Sequence, residues 1–292
     1  MKALDGRVVV VTGAGRGLGR AYAEHAAAAG AAVVVNDVDL DEATTVAERL
    51  PLAVASGHDV TDGDQAAALV ALASEHFGRL DGLVNNAGIY YEIPPWEDEP
   101  NRMRQLVEVN VLGPMYCTAA AARVFREQGE GGAVVNAISG ALFGFPTTST
   151  YGSSKGAVAS LTLATAVDLG TIGVRVNAVA PIAATRLTLA AQAGKRFTPD
   201  GATAAPLDGI ESRTPDRIAP LVTFLLSSLS AQVSGCLFRF DGVRLSRLQF
   251  GDPAGVAPVR RDSWDLDAVV EAFAPGSGLH PAGGDSTSKD ER

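Results

Sequence analysis

The sequence has few cysteines and no long apolar run, and each shortage excludes a class of protein. Only two cysteines occur in 292 residues, Cys117 and Cys236, so a disulfide-rich secreted scaffold is excluded and both are interpreted as reduced thiols. Glycine and charged residues interrupt the apolar runs before they reach the roughly 20 residues that a membrane helix needs. Residues 1–6 lack the architecture of a signal peptide. We therefore expect a cytoplasmic protein that does not contact a membrane.

Basic residues and metal-ligand patterns are also scarce. Lys and Arg number 24 against 33 Asp and Glu, which gives a formal net charge of −9. No basic cluster occurs that would attract nucleic acid. The four histidines lack the spacing of metal ligands, so no metal site is expected. A small molecule remains the expected partner.

The apolar residues that are present follow an alternating pattern. They make up 47% of the chain, which suits one large α/β domain. The run at residues 7–11, an arginine followed by four β-branched valines, is typical of a strand buried on both faces of a parallel sheet. Similar short runs alternate with Ala-rich helical stretches as far as residue 240. This alternation predicts an α/β fold, a Rossmann-type doubly wound parallel sheet of about seven strands.

A glycine-rich turn joins the first strand to a helix predicted over residues 18–29. Residues 12–19 are Thr-Gly-Ala-Gly-Arg-Gly-Leu-Gly, and glycines in this context let the backbone approach a pyrophosphate that the helix N-terminus stabilises. Their spacing, Gly-x-x-x-Gly-x-Gly, differs from the Gly-x-Gly-x-x-Gly dinucleotide fingerprint. Taken alone, the turn is equally explained as a tight connection between strand and helix.

Asp37 ends the second predicted strand, 18 residues after Gly19. A carboxylate at this separation binds the adenosine ribose hydroxyls and repels a 2′-phosphate, so it favours NAD over NADP. Arg16, inside the glycine turn, is a weaker signal in the opposite direction, since a cation could face that phosphate.

Tyr151 and Lys155 lie four residues apart, on one face of a helix predicted to run to about residue 170. A neighbouring ammonium favours the phenolate and lowers the pKa of a tyrosine from its ordinary value of about 10. A tyrosine tuned in this way exchanges a proton with an alcohol near neutral pH. Because Tyr-x-x-x-Lys also occurs by chance, the interpretation depends on the rest of the chain.

Further polar and small residues follow other predicted strands. Asn86, Ala87 and Gly88 follow the fourth strand and Ser139 follows the fifth, at the edge where an open α/β sheet binds its ligand. Asn110 lies inside a helix predicted over residues 102–127, where a Pro four residues later indicates a local break.

Three segments are predicted to lie outside the regular sheet and helices. Residues 89–101, rich in Pro and acid, are interpreted as a surface loop over the site, and residues 182–214 as a mobile substrate lid. We expect residues 1–250 to form a dinucleotide-binding catalytic domain and residues 251–292 a C-terminal extension. Apolar residues at i, i+3, i+4 and i+7 predict a short helix over 263–273, followed by a disordered tail.

Taken together, residues 5–245 resemble the short-chain dehydrogenase/reductase family. The matching pieces, in the family's order, are the turn at residues 12–19, Asp59, Asn86-Ala87-Gly88, Asn110, Ser139, Tyr151 with Lys155, and Asn177-x-x-x-Pro181. The resemblance implies a nicotinamide cofactor and a homodimer or homotetramer. Small residues on the Tyr151 helix would allow close packing between subunits; they are Ala157, Ala159, Ser160, Ala164 and Ala166.

The resemblance also implies a role for each matched residue. Tyr151 would be the general acid/base, Ser139 would donate a hydrogen bond to the substrate oxygen, and Lys155 would hold the nicotinamide ribose. Asn110 would hold a water that relays protons through Lys155, and Asp59 would meet the adenine. The implied cofactor-binding residues are Gly13, Arg16, Gly17, Leu18, Gly19, Asp37, Asp59, Val60, Asn86, Ala87, Gly88, Tyr151, Lys155, Pro181 and Thr185.

Two positions depart from the family pattern. The family's Ser lies one residue further from the Tyr than Ser139 does, and Ile138 occupies the expected position. Either the intervening loop is one residue shorter or the Ser is misplaced; the short loop is favoured because Ser139 is the only nearby hydroxyl just after the strand. Ile182 replaces the glycine that usually follows Pro181, so the fit of cofactor or substrate there is expected to differ.

A narrower resemblance concerns the substrate. Val35-Asn36-Asp37, residues 217–222 and the C-terminal extension resemble the hydroxyacyl-CoA dehydrogenase modules of peroxisomal multifunctional β-oxidation enzymes and their bacterial relatives. We therefore expect NAD-dependent interconversion of a secondary alcohol and a ketone, on a bulky apolar or acyl-CoA-type substrate such as a 3-hydroxyacyl-CoA or a hydroxysteroid. Cations of the lid would either meet CoA phosphates or be solvated charges; they are Arg186, Lys195 and Arg196.

The alternative function is a catalytically weak NAD(H)-binding sensor or regulatory protein. The spacing of Ser139 and the presence of Ile182 motivate it. The intact pair of Tyr151 and Lys155 argues against it, because a protein that only binds NAD has no need of the tyrosine.

Overall fold

The computed structural model describes residues 2–184 and 213–249. Eight strands form one sheet in the order β3-β2-β1-β4-β5-β6-β7-β8. Strands β1 to β7 pair in parallel and β8 pairs antiparallel with β7. The strands are β1 (Val8–Val11), β2 (Ala32–Asn36), β3 (Ala53–Ser56), β4 (Gly82–Asn85), β5 (Gly132–Ala137), β6 (Val174–Pro181), β7 (Cys236–Phe240) and β8 (Leu245–Leu248).

Helices cover both faces of the sheet, which confirms the predicted doubly wound fold. Side chains alternate between the two faces of a strand, so in β1 Val9 and Val11 join one apolar cluster and Val8 and Val10 join the other. The first cluster includes α1, α2 and α7, and the second includes α3 and α5. The helices are α1 (Gly17–Ala28), α2 (Leu40–Ala47), α3 (Gly63–Phe77), α4 (Pro100–Val107), α5 (Gly113–Gln128), α6 (Ser149–Gly170) and α7 (Ala219–Leu226).

Strand β8 was not predicted from the sequence. Its first three residues are exposed, so it lacks the apolar run that marked the other strands. The turn before it is formed by Asp241, whose carboxylate accepts hydrogen bonds from the backbone N–H groups of Val243 and Arg244. This antiparallel strand lies at the edge of the sheet, where burial no longer imposes an apolar pattern.

The break predicted near Asn110 is a π-helical segment, Glu108–Leu112, between α4 and α5. Pro114 lies in the first turn of α5, where its missing N–H costs little. Short π segments often occur at functional sites. Here the segment places Asn110 in the protein interior, fully buried.

The chain divides into two compact units, Met1–Leu248 and Gln249–Arg292. Most of the predicted lid, and the whole predicted extension from residue 251 with its helix over 263–273, lie outside the described residues and stay predictions. No helix within residues 2–184 and 213–249 is long and apolar enough to cross a bilayer.

Asp81 joins the residues before β4 to the start of β1, at the end of the sheet where both strands begin. Its carboxylate accepts hydrogen bonds from Arg7 at 2.6 Å, from two nitrogens of Arg79 at 2.7 Å and from the backbone N–H of Val8 at 2.9 Å. Burial alone would raise the pKa of Asp81, but these donors hold the pKa below its usual range. The charged form therefore stabilises the fold.

Replacing this carboxylate should weaken the fold in a pH-dependent way. We expect Asp81→Ala to lower the free energy of unfolding by about 2–4 kcal/mol at pH 7, because two partly buried guanidinium groups lose their partner. The Asp81 pKa is lower in the folded than in the unfolded chain, so this contribution is lost as pH falls through the folded pKa. Urea unfolding at pH 7 and pH 3 measures both effects.

The matched control is Glu130→Ala, which removes only the exposed carboxylate that Arg79 also contacts. Exposed ion pairs contribute about 0–1 kcal/mol. Equal losses in the two variants would contradict the central position of Asp81.

Candidate active site

The glycine turn between β1 and α1 forms a cradle in which side chains have no room. Gly13 has a φ of +60°, and a Cβ there would lie 2.8 Å from the Cα of Ala87. A Cβ at Gly19 would overlap the carbonyl oxygen of Gly13. Both positions therefore require glycine, for conformation in the first case and for close approach in the second.

Asn86 fastens this cradle to the end of β4. Its amide nitrogen donates to the carbonyl oxygens of Thr12 and Gly13, both at 3.0 Å. In return, the Thr12 hydroxyl accepts hydrogen bonds from the backbone N–H groups of Asn86 and Ala87, again at 3.0 Å. The structure thus brings three of the predicted cofactor residues together, with Asn86 fixing the shape of the turn.

The N-terminus of α1 opens onto the same cradle. Arg16 is the N-cap residue, and its side chain makes no capping hydrogen bond. The first N–H groups of a helix have no acceptor inside the helix and carry a partial positive charge. This end of α1 fits the pyrophosphate of a dinucleotide.

Asp37 closes the cradle at the end of β2. One carboxylate oxygen accepts from the N–H of Gly15 at 3.0 Å and the other from the N–H of Asp39 at 3.1 Å. Arg16 lies 3.0 Å from the Asp39 carboxylate and 3.8 Å from that of Glu42. Two carboxylates thus pair with Arg16, the cation that could have attracted a 2′-phosphate, and Asp37 lies beside them.

Asp59 and Val60 organise the connection from β3 to α3. The Asp59 carboxylate accepts from the N–H and the hydroxyl of Thr61, at 2.9 and 2.8 Å. Val60 is buried, and a Cβ at Gly113 would lie 2.9 Å from its side chain. The predicted contact of Asp59 and Val60 with a cofactor stays a prediction.

Two more predicted cofactor residues have structural contacts of their own. Leu18 packs against the core, and Pro181 pairs with Phe240 at the end of β6. Their contact with a cofactor also stays a prediction. Thr185 lies outside the described residues.

Asn110 connects the loop after β4 to α6. Its side chain accepts from the N–H of Ile89 at 2.8 Å and donates to the carbonyl of Ile89 at 2.9 Å and to the Ser154 hydroxyl at 3.2 Å. A Cβ at Gly88 would lie 3.2 Å from Asn110 Oδ1 and 3.5 Å from Lys155 Nζ. Gly88 therefore lets both polar groups approach the same short stretch of backbone.

Lys155 is buried, with its ammonium directed at the end of β5. Nζ donates to the carbonyl oxygen of Ala137 at 3.0 Å and lies 5.8 Å from the centroid of the Tyr151 ring. Burial lowers the pKa of Lys155 from 10.5 to about 8. The amine can therefore exchange a proton close to neutral pH.

The pKa of Tyr151 differs from the expectation. Burial raises this pKa, and a hydrogen bond with Ser139 acts in the opposite direction. Lys155 was expected to lower it, but its ammonium is held by the Ala137 carbonyl and is itself disfavoured by burial. The desolvation of the phenol dominates instead.

The structure gives Ser139 and Ile138 different surroundings. Ile138 is 3% exposed and packs in an apolar cluster with Val158 and Leu237. Ser139 caps the short 3₁₀ turn Gly140–Phe143 and forms the hydrogen bond with Tyr151. The short-loop interpretation, in which this serine acts on the substrate, stays a prediction. Ile182, the other departure, extends β6 by donating its backbone N–H to Phe240 at 2.9 Å.

A buried polar network behind the site was missed in the sequence. The Asn85 amide donates to Asn136 at 2.8 Å and to Thr118 at 3.0 Å, and the Asn136 amide donates to Thr162 at 2.9 Å. These bonds join β4, β5, α5 and α6 and so fix the helix that carries Tyr151. Asparagine at the ends of two successive apolar strands was the available signal.

The sequence predicted that the loop after β4 lies over the site. It did not predict that this loop contacts Tyr151. Tyr90 packs edge-on against Tyr151, with 4.6 Å between the ring centroids. Two adjacent tyrosines, which follow Asn86-Ala87-Gly88 after a single isoleucine, were the available signal in the sequence.

The structure shows no cluster of metal ligands in the part of the chain that it describes. There, no three His, Cys, Asp or Glu side chains converge as ligands.

Comparison with known proteins places this chain in a family. The family model described as enoyl-(acyl carrier protein) reductase matches residues 13–242. The crystal structure of a short-chain dehydrogenase from Mycobacterium avium superposes with a TM-score of 0.80 and 33% identity, over 93% of this chain and 94% of that one. The chain belongs to the short-chain dehydrogenase/reductase family.

Relatives within this family are named for oxidation of alcohols. Cis-4-hydroxycyclohexanecarboxylate dehydrogenase of Sinomonas cyclohexanicum is 39% identical over 246 residues, covering 81% of this chain and 95% of the relative. L-rhamnose 1-dehydrogenase (NAD(P)(+)) of Azotobacter vinelandii is 36% identical over 262 residues, covering 83% and 98%. This short-chain dehydrogenase/reductase is therefore an oxidoreductase of alcohol or ketone substrates.

One similar solved structure contains both a cofactor and a substrate. It is a 7α-hydroxysteroid dehydrogenase complexed with NADH and 7-oxo glycochenodeoxycholic acid, with a TM-score of 0.69 and 30% identity. The match covers 82% of this chain and 94% of that chain.

The buried amine should lower stability. We expect Lys155→Met to raise the free energy of unfolding by about 1–2 kcal/mol at pH 7, because the folded-state pKa of about 8 lies below the unfolded value. Below pH 8 both states are protonated and the cost of the buried charge is complete. Between pH 8 and about 10.5 only the unfolded state keeps the proton, so the unmodified protein gains stability and the advantage of the variant shrinks.

Urea unfolding at pH 7 and pH 10 tests this expectation. Lys2→Met is the control, since Lys2 is exposed and its replacement should change little. A Lys155→Met variant that is less stable than the unmodified protein at pH 7 would contradict the conclusion that the buried ammonium group destabilises the folded chain.

Proposed function

We propose that this protein is an NAD-dependent dehydrogenase that interconverts a secondary alcohol and a ketone on a bulky, apolar, ring-bearing substrate. The observation that carries the proposal is the meeting of Tyr151, Ser139 and Lys155 beside the glycine cradle. The hydrogen bond with Ser139, which lowers the Tyr151 pKa against the larger effect of burial, supports a role for this phenol in proton exchange with an alcohol.

The proposed mechanism assigns one task to each group. In alcohol oxidation, Tyr151 first gives up its own proton towards Lys155, and the resulting phenolate removes the hydroxyl proton of the alcohol. Ser139 donates a hydrogen bond to the same substrate oxygen and stabilises its developing charge. Lys155, with a pKa of about 8, passes the proton onward near neutral pH, and Asn110 lies beside it across Gly88. A bound NAD supplies the hydride acceptor. In ketone reduction Tyr151 donates the proton instead.

Three groups of the candidate site suit different parts of the cofactor. The α1 N-terminus would hold the pyrophosphate, Asp37 the adenosine ribose hydroxyls, and Lys155 the nicotinamide ribose. NAD is proposed over NADP because Asp37, Asp39 and Glu42 outnumber Arg16 at the adenosine end. The NADH in the similar hydroxysteroid dehydrogenase supports this choice, while the rhamnose dehydrogenase is named for both nucleotides.

Aromatic side chains in the loop after β4 and in the segment after Ser139 support this substrate class. The Tyr90 ring lies against Tyr151, and Phe143 and Phe145, which follow Ser139, are about half exposed. The cyclohexane and bile-acid names of two similar proteins both indicate alcohols on saturated rings. We therefore place an alicyclic or hydroxysteroid substrate ahead of an acyl-CoA, whose expected phosphate partners lie outside the described residues.

We propose that a second copy of the chain packs against the side of α6 that faces away from Tyr151, which would form a homo-oligomer. A groove of about 470 Å³ opens between the α4 region and α6, and it is lined by four apolar and four hydroxyl-bearing residues; they are Met103, Val107, Val111, Ala157, Ser149, Thr150, Ser153 and Ser154. A second copy of the chain packed here would cover Val107 and Leu163, which are partly exposed. Of the predicted small residues, Ser160 and Ala164 are exposed, whereas Ala159 is buried within the subunit.

Replacing the catalytic phenol should separate chemistry from binding. We expect Tyr151→Phe to lower the rate of NADH formation by about 10²–10⁴-fold, the usual contribution of a general acid/base, with NAD affinity unchanged by calorimetry. The probes are cyclohexanol, cis-4-hydroxycyclohexanecarboxylate and a 7α-hydroxy bile acid, followed by absorbance.

Tyr116→Phe is the matched control, since Tyr116 packs near Gly63 on the far side of α5. Retained turnover in Tyr151→Phe would overturn the role of this residue. NAD binding without turnover of any secondary alcohol by the unmodified protein would favour the sensor alternative.

A change at Asp37 should alter cofactor preference. We expect Asp37→Ser to raise the NADP/NAD ratio of kcat/KM by about 10–100-fold, because a carboxylate facing a 2′-phosphate is removed. Asp41→Ser, an exposed acid in the first turn of α2, is the control. An unmodified protein that prefers NADP would show that Arg16 outweighs Asp37.

A further inference from the structure

Residues 89–99 cross the start of α6, and two sets of hydrogen bonds hold them there. The N–H of Ile93 donates to the carbonyl of Thr147 at 2.8 Å. Further along the loop, one oxygen of the Asp98 carboxylate accepts from the hydroxyls of Thr150 and Tyr91. These attachments lie four residues and one residue before Tyr151.

Asp98 is the connecting point of the second set. Thr150, Tyr91 and Asp98 come from α6, the beginning of the loop and its end, so a single oxygen joins three segments. The other Asp98 oxygen is buried and has no hydrogen-bond partner among the described residues. A buried acceptor left unpaired costs free energy. The hydrogen bonds that the first oxygen accepts from Thr150 and Tyr91 must therefore offset the cost of burying the second oxygen.

The backbone at the other attachment is strained. Thr147 has a φ of +60°, a left-handed conformation that is unfavourable for a β-branched residue. Such strain costs free energy and persists only where the surrounding structure enforces it. The strained residue presents its carbonyl to Ile93, so the strain lies where the loop meets the segment leading to Tyr151.

The loop in turn places an aromatic ring on the catalytic phenol. Tyr90 precedes Tyr91, and its ring packs edge-on against Tyr151 at 4.6 Å. The Tyr90 hydroxyl also donates to Glu92 within the same loop. Arg102, from α4, lies 5.3 Å from the centroid of the Tyr91 ring. The ring that covers Tyr151 therefore depends on a loop whose ends converge on Asp98.

We propose that Asp98 is a positioning residue: by binding Tyr91 and Thr150 it holds residues 89–99 against α6 and keeps the Tyr90 ring over Tyr151. The inference rests on the proposed function, in which Tyr151 exchanges the substrate proton. Without this contact the loop moves away and water reaches the phenol. Since burial is the main cause of the raised Tyr151 pKa, that pKa then falls.

The pH profile of kcat/KM distinguishes this role from general structural support. For Asp98→Ala we expect the acid limb for alcohol oxidation to shift down by about one pH unit, with kcat/KM on cyclohexanol about 5–20-fold lower at its optimum because the pocket wall is displaced. Asp98→Asn keeps an acceptor oxygen for both hydroxyls and should restore most of the profile. Glu97→Ala, an exposed neighbouring acid, should leave it unchanged.

A second measurement follows the loop without turnover. The chain has two tryptophans, and Trp96, in this loop, is 82% exposed. In a Trp264→Phe background, Trp96 alone reports fluorescence anisotropy. We expect a lower anisotropy for Asp98→Ala, values near those of the background for Asp98→Asn and Glu97→Ala, and an intermediate decrease for Thr150→Val, which removes one of the two hydroxyls.

The outcomes separate this inference from the proposed function. An unchanged anisotropy and pH profile in Asp98→Ala would overturn the positioning role, and so would a loss of kcat with an unchanged anisotropy. If the unmodified protein oxidises none of the probes, the proposed function fails and the anisotropy alone decides whether Asp98 holds the loop. Should Asp98→Ala fail to fold, Thr150→Val and Tyr91→Phe each remove one of the two hydrogen bonds to Asp98. An unchanged anisotropy in both of these variants would then overturn the positioning role.

Discussion

The contact on which the rest of the structure depends is that between the turn after β1 and the end of β4. The strand order reverses between these two neighbours, so the connections that follow them leave in opposite directions and open a crevice. Thr12 and Asn86 hold the two strand ends together across it through reciprocal hydrogen bonds. The cradle lies on one side of this junction and Asn110 with α6 on the other, so a shift here would separate the groups that bind from those that transfer a proton.

The interior behind the site is polar where an apolar core would be expected. Asn85 and Asn136 are both buried at the ends of adjacent strands and hydrogen-bond to each other and to threonines of α5 and α6. Directional bonds specify one rotation of α6 more strictly than apolar packing does, because a misplaced helix would leave buried amides unsatisfied. This network therefore helps to fix the rotation of α6, the helix that carries Tyr151 and Lys155.

Much of the fold and of the candidate site was predictable, for physical reasons that also explain the failures. Valine runs marked β1 and β2 because burial on both faces leaves no room for polar residues, whereas exposed β8 carried no such mark. Motif spacing located Tyr151 and Lys155, but the direction of the Tyr151 pKa shift depends on burial, which only the folded chain determines. The link between Asp98 and Thr150 joins residues 52 positions apart, beyond any local pattern.

Strand β8 also affects how the chain behaves when it is only partly folded. It occupies the outer edge of β7, whose backbone groups would otherwise be open to pairing with another sheet. Because β8 is short, exposed and carries Arg247, it is itself a poor template for such pairing. Its detachment would uncover Leu237 and Phe238 on a parallel sheet that is slow to form. The four residues of β8 therefore protect the edge of β7 from pairing with another chain.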